Sequence, residues 1–232
     1  MLRNFLISGL LAALVGPGAA RLRAQSHSFS TLPNLHLSGG EQTVDGVAAR
    51  IEDDILTESE VRELAGYQQL VDGKAKPRPD LLRELEDQWI VRGEAKTAKF
   101  PEPSAADQRR AYAEFVKQFA SLEEFQSKCA AAGLTETAVR RIVTEQLYLS
   151  RFIDYRFRPA AQVDDAQVQT FYQNEFAPQL KTRGQPVPAL DEVQDTIREV
   201  LVQRAISARA EKWLDDTRSH LKIDIVAAGS GS

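Results

Sequence analysis

Residues 44–61, VDGVAARIEDDILTESEV, constrain the fold more than any other stretch, because the apolar period changes partway through. Val47, Ala49 and Ile51 alternate with Ala48 and Arg50, the period of two expected of a half-buried strand. Glu52-Asp53-Asp54 reads as a tight acidic turn and Ile55-Leu56 as a returning strand. Thr57 with Glu60 has the spacing of a capping box, in which hydroxyl and carboxylate satisfy the orphan amides of a helix start. A hairpin thus delivers the chain into a helix. Two strands alone are only marginally stable in water and need a third strand or a packed helix. The matching segment stands at the far end, Lys222-Ile223-Asp224-Ile225-Val226. If it pairs with the hairpin, the two ends of one domain at 44–226 close on each other, giving a mainly α fold with a small β-sheet.

The chain between these ends reads as helices separated by clear punctuation. The first helix is expected at about 58–70, with Val61, Leu64 and Ala65 inward, stopping at Asp72-Gly73. A second, at about 80–99, places Leu81, Leu85, Trp89 and Arg92 at helical spacing, with Leu82 and Val91 widening the stripe and Trp89 read as core. Pro101 and Pro103 break the chain, and Ser104 with Asp107 restarts it as a third helix through Phe119. Ser121 and Glu124 cap a fourth, ended by Gly133. The fifth begins at Thr135 and ends at Pro159. Its residues Val139, Ile142, Val143, Leu147, Leu149, Phe152, Ile153 and Phe157 recur at threes and fours, as in a helix at the centre of a bundle. Residues 177–189 contain prolines and read as irregular. A last helix, from Leu190 to about Leu221, turns Leu190, Val193, Ile197, Val200, Leu201, Ala208 and Leu214 inward, with Arg204, Arg209 and Lys212 on a solvated face.

Arg3, the apolar run at 5–15 and the Gly16-Pro17-Gly18 break read as a secretory signal peptide over 1–24, removed after Ala24 or, alternatively, after Ala20. The run is too short for a spanning helix, which needs about 20 apolar residues. Removing 1–24 takes away Arg3, Arg21 and Arg23 and no acid, leaving 26 basic against 33 acidic residues and a net charge of −7. That sign argues against nucleic acid as a partner. Residues 25–43 are rich in Ser, Gly and Thr and read as a flexible lead-in carrying His27 and His36, and 227–232 as a flexible tail. Cys129 is the only cysteine, so no internal disulfide can form, and it reads as a small apolar residue of a helix. No phosphate-cradling glycine loop or paired zinc motif is present, so no cofactor or metal is expected. The Asp53-Asp54 and Asp164-Asp165 pairs read as a turn and a helix cap, and Ser219-His220 beside Asp216 as neighbours on an exposed turn rather than a triad.

The hairpin-to-helix segment resembles the N-terminal region of the SurA family of periplasmic chaperones and peptidyl-prolyl isomerases, which is related in architecture to trigger factor. LLRELEDQWIVRGEAKTAKF at 81–100 is similar to the family's second helix, VDDAQVQTFYQNEF at 163–176 to the helix leading towards its isomerase domain, and WLDDTRSHLKIDIV at 213–226 to its closing helix and strand. Glu52 stands where the family usually has an asparagine. The resemblance implies a parvulin-type isomerase domain inserted after Phe176. The interval 177–189 is far too short for a module that needs at least about 50 residues to form a core. Parvulin sites, as the resemblance implies them, also use histidines, and none lies between His36 and His220. The isomerase module is therefore expected to be missing, and with it the enzymatic activity.

On the fifth helix, Tyr148, Arg151, Phe152 and Tyr155 are the candidate peptide-binding residues. Rings with polar handles suit a partly wet surface, so they either line a concave face that holds extended, aromatic-rich chains or edge a core, and spacing alone does not separate the two. The function expected from the resemblance is an ATP-independent periplasmic holdase for unfolded exported or outer-membrane proteins. The alternative is a non-catalytic envelope adaptor that binds one folded partner or forms a homodimer.

Overall fold

A computed structural model describes residues 45–227; the expected signal peptide, the expected lead-in with His27 and His36, and nearly all of the expected tail lie outside the described residues. The hairpin forms as the pattern predicts, with β1 (Val47–Ile51) antiparallel to β2 (Asp54–Thr57) and Ile51 opposite Asp54. Glu52 takes the turn with φ of 52°, in the left-handed region that favours glycine, asparagine and aspartate. Its backbone N–H donates to Lys222 O at 2.9 Å, and its Oε1 accepts the Lys222 N–H at 2.7 Å. The glutamate side chain therefore extends the ladder one rung beyond the third strand.

That strand, β3 (Ile223–Ile225), pairs antiparallel with β1 in the register Ala49 with Ile225, Arg50 with Asp224 and Ile51 with Ile223, giving the sheet order β2-β1-β3. The Val226 N–H donates to Ala48 O at 3.0 Å and prolongs the pairing. One detail departs from simple alternation. Ala48, expected to face outward, is as fully buried as Ala49. The register between β1 and β2 shifts between Val47 and Ala49, and the extra residue of such a bulge falls out of phase with the pleat.

Where the sequence advertised a cap, the helix start carries it. In α1 (Glu58–Asp72) Thr57 and Glu60 cap each other's amides, and Gly73 ends the helix at φ of 72°. After α2 (Arg78–Thr97), Ser104 caps α3 (Ala105–Val116), Ser121 caps α4 (Leu122–Ala131) and Thr135 caps α5 (Glu136–Phe157), each hydroxyl accepting from the amide three residues on. A short 3-10 turn (Arg158–Ala160) follows, then α6 (Asp165–Phe171), a π-helical turn (Tyr172–Phe176) and α7 (Ala177–Thr182). Residues 177–182 were expected to be irregular. They are helical: Pro178 sits in the first turn of α7, directly after the π-helical turn, and the helix runs on from one into the other. Only 183–189 remain as the connection to α8 (Leu190–Arg218).

Three apolar clusters share these elements. The sheet packs on α1 and the start of α2 through Ile51, Leu56, Leu64 and Leu82. The second cluster joins the end of α2 to α5 and α8 through Ile90, Phe152, Ile153 and Ile206. The third joins the end of α1, α3, α4 and the first half of α5 through Tyr67, Phe115, Phe125 and Val139. Trp89 and Leu221 pack against both of the first two, and Trp89 Nε1 donates to Asp54 Oδ2 at 2.9 Å, tying the hairpin turn to α2. As its period predicts, α5 runs through the middle, contributing to two clusters.

The last helix behaves differently from its expected single stripe. Ile197 is buried in the N-terminal half, whereas Ile206, Ala210 and Leu214 are buried in the C-terminal half and Ala208 is exposed. Ile197 and Ile206 are nine residues apart, about 180° around a helix at roughly 100° per residue. The first half of α8 therefore buries one face against α6, and the second half buries the opposite face against α2 and α5. Arg158 braces the changeover, bonding Asp154 of α5 and, through both terminal nitrogens, Glu199 of α8 at 2.8 and 3.1 Å.

Ending the chain at Leu221 removes β3, exposes the β1 edge and uncovers Ile51 and Ala49. Thermal melting followed by circular dichroism should show a fall in Tm of roughly 5–10 °C, the size expected when a few kcal/mol are lost from a domain of this length. An unchanged Tm would remove sheet closure from the account.

Candidate functional site

The most distinctive exposed apolar feature starts where α2 ends. Lys99 takes φ of 51°, the Phe100 N–H donates back to Ala95 O at 2.9 Å, and Pro101 and Pro103 prevent the helix from resuming at once. This turn brings the Phe100 ring onto α5. Tyr148, Phe152 and Tyr155 lie at i, i+4 and i+7, so they share one face of that helix. Phe100 meets all three, with centroid separations of 5.9 Å to Tyr148, 5.5 Å edge-on to Phe152 and 5.2 Å to Tyr155. Offset and edge-on contacts of this kind add to the burial energy of the rings.

The four sequence candidates fall into different layers of this block. Phe152 is 1% exposed and belongs to the core, and Tyr148 is buried with its hydroxyl 3.4 Å from Phe100 O and its ionisation pushed up by burial. Tyr155 is 64% exposed and stands on Phe100 and Phe152 with its outer surface bare. Arg151 is exposed and engaged, its Nη1 3.2 Å from Asp107 Oδ2 at the start of α3. That guanidinium, with the Ser104 hydroxyl, holds the Asp107 carboxyl down at about 2. Of the four, only Tyr155 and Arg151 present exposed surface, while Phe152 and Tyr148 are buried in the block. Phe100 completes the block. Nothing in its own stretch announces this, because it lies beyond the helical pattern of α2 and its partners are about fifty residues away.

The remaining chemical candidates resolve into structural roles. His220 Nδ1 lies 3.2 Å from the Ser219 hydroxyl and 2.7 Å from the main-chain carbonyl of Asp216, not from its carboxylate, and the hydroxyl donates to that same carbonyl, so no carboxylate orients the ring as a triad requires. Cys129 is buried in the third cluster, and burial, with a smaller push from Glu136, raises its thiol, the opposite of nucleophile activation. Asp164 caps α6, accepting the Gln167 N–H at 2.8 Å, Asp165 pairs with Arg198, and Asp54 accepts from Trp89. Among the described residues no three His, Cys, Asp or Glu converge in a way that could hold a metal ion. No described helix is long and apolar enough to cross a membrane.

The connection after Phe176 is also pinned. The Tyr172 hydroxyl donates to Pro188 O at 2.7 Å, Tyr172 stacks on Phe176, and Arg204 of α8 lies 4.6 Å over the Phe171 ring while pairing with Glu175. Val168 and Ile197, each 1% exposed, form the seam between α6 and α8.

By fold and surface, then, this is a mainly helical frame closed by a three-stranded antiparallel sheet and carrying a bare aromatic ring on a supported block. No family model matches the chain. It is similar to the protein described as chaperone SurA from Cupriavidus pinatubonensis (strain JMP 134 / LMG 1197), with 26% identity over 199 residues, covering 73% of this chain and 40% of that relative. The similarity supports a SurA-like relationship. The match spans less than half the relative's length.

The layering of the aromatic block separates stability from surface. Phe152→Ala should cost about 3–5 kcal/mol, as for a large buried ring with little room to collapse, whereas Tyr155→Ala should change the urea midpoint little. Chemical denaturation of both variants checks this, and equal destabilisation would contradict the layering.

Proposed function

We propose that this protein is an ATP-independent holdase of the bacterial envelope, which binds unfolded exported or outer-membrane proteins through the edge formed by Tyr155, Arg151 and the Phe100 ring beneath them. The observation that carries the reading is a tyrosine 64% exposed on a rigid aromatic block, in a chain similar over most of its length to a protein described as a chaperone. An exposed ring of this kind costs little to order, because its support is already packed, and it meets a partner's side chain without rearrangement. Single contacts of this size are weak. Unfolded clients present many such segments, so repeated weak contacts hold them while each remains free to release as folding proceeds. Export is supported by the signal-like leader, with Arg3, an apolar run and a small-residue stretch.

The proposal does not include prolyl isomerisation. Supporting this, the chain passes from Phe176 through α7 into the loop at 183–189 and directly into α8, with Tyr172 fastened to Pro188. The barrier to be lowered is about 18–20 kcal/mol, and that requires a pocket that stabilises the twisted amide more than the planar one.

Purified protein lacking the leader should suppress aggregation of a urea-denatured outer-membrane β-barrel diluted into buffer at stoichiometric amounts. Tyr155→Ala should weaken the suppression severalfold without lowering Tm, and the same preparation should leave the isomerisation rate of a proline tetrapeptide unchanged. Full aggregation in the presence of the protein would sink the holdase reading. Capture of one folded protein in fixed ratio would point to an adaptor instead.

A further inference from the structure

The C-terminal turn of α8 is fastened to α2 by an ionic cluster that carries more acid than base. Arg218, only 14% exposed in its side chain, pairs with Asp87, lies 3.3 Å from Glu86 Oε2 through Nε, and bonds Asp215 at 2.9 Å. Arg83 bonds the same Asp215 oxygen at 2.6 Å from the solvent side. The α2 side thus supplies Arg83, Glu86 and Asp87, and the α8 side Asp215 and Arg218. Three carboxylates face two guanidinium groups, and two of the three, Glu86 at 6% and Asp87 at 16% side-chain exposure, are withdrawn from water.

Nε of Arg218 is buried without a hydrogen-bond partner, so its 3.3 Å approach to Glu86 is an ionic contact without a hydrogen bond, and Glu86 is the less firmly held of the two withdrawn carboxylates. A second withdrawn carboxylate beside a first is costly in its ionised form, since desolvation penalises the charge and the neighbour repels it. We propose that this cluster is an acid-strengthened latch: uptake of a proton by the Glu86–Asp87 pair tightens the docking of the end of α8 on α2, and so steadies β3 and the closed sheet.

The direction follows from linkage. Burial first, and the Glu86 charge to a lesser degree, raise the Asp87 carboxyl to about 6 in spite of Arg218 and Arg83, and burial raises Glu86 as well. An acid raised above its unfolded value binds its proton more tightly when folded, so its charged form destabilises the fold at neutral pH. That penalty is relieved as the pH falls through about 6. The carboxylates held low elsewhere, Asp107, Glu123, Glu124 and Glu199 among them, lose their contribution as the pH falls through the ordinary carboxylate range and below it. They do not oppose the latch between pH 7.5 and 5.

The test is urea denaturation of the protein and of Asp87→Asn across pH 7.5 to 5. The folding equilibrium constant of the parent protein should rise about tenfold relative to that of the variant over this range, the ratio a single acid raised to about 6 generates. A parallel course for the two proteins would overturn the proposal. Should Asp87→Asn fail to fold, hydrogen exchange on the parent protein decides instead, after correction for intrinsic rates. Amides at 209–221 should gain protection on acidification to pH 5, and unchanged or reduced protection there would overturn the latch equally.

Discussion

The pairing of β3 with β1 is the contact that closes this fold, joining elements about 170 residues apart. Three residues of ladder cannot offset the closure of so long a loop by themselves. The contact forms because α8 is already held when the chain reaches Ile223. Leu214 packs in the second cluster, Leu221 lies against two clusters at once, and Arg218 is fixed to α2. The Glu52 carboxylate then accepts the first amide of the returning segment, so the turn of the hairpin also guides the strand that completes it. The three clusters are linked through Trp89, Leu221 and α5.

The use of opposite faces by the two halves of α8 explains why one helix can belong both to the body and to the segment built from α6 and the π-helical turn. Arg158 stands where the buried face changes over, gripping α5 and α8 together. The aromatic edge on α5 draws its rigidity from the same body, since Phe152 is a full member of the second cluster. Core packing thus serves the surface: the Phe152 ring under Tyr155 is fully buried, and Tyr155 is held out of the interior by rings that already occupy it.

Local chemistry was legible in the sequence, and register was not. Thr57, Ser104, Ser121, Thr135 and Asp164 announce helix starts because a cap acts over three residues. The hairpin and its distant partner were readable from β-branched alternation at both ends. The burial of Ala48 was hidden because a bulge depends on the partner strand, and α7 was hidden because Pro178 looks like a breaker until the turn before it is known to be wide. On α8, a single stripe was expected where two elements on opposite sides each take a face, which placed Ala208 inward. At the candidate site, Tyr155 and Phe152 look alike by spacing and differ completely by exposure, since that difference is set by Phe100, which arrives from α2. The ionic cluster of Arg218 with Glu86 and Asp87 likewise exists only after residues about 130 apart are brought together.

The central functional claim is that unfolded chains contact the edge at Tyr155 in preference to other exposed apolar side chains, and site-specific photo-crosslinking tests it directly. Benzoylphenylalanine would replace Tyr155 in one preparation and Leu122, which is 52% exposed on the far helix α4, in another. The account predicts that illumination with a denatured β-barrel protein gives strong adducts from position 155, competed away by unlabelled client, and few from position 122. Equal labelling from both positions, or none from 155, would contradict it.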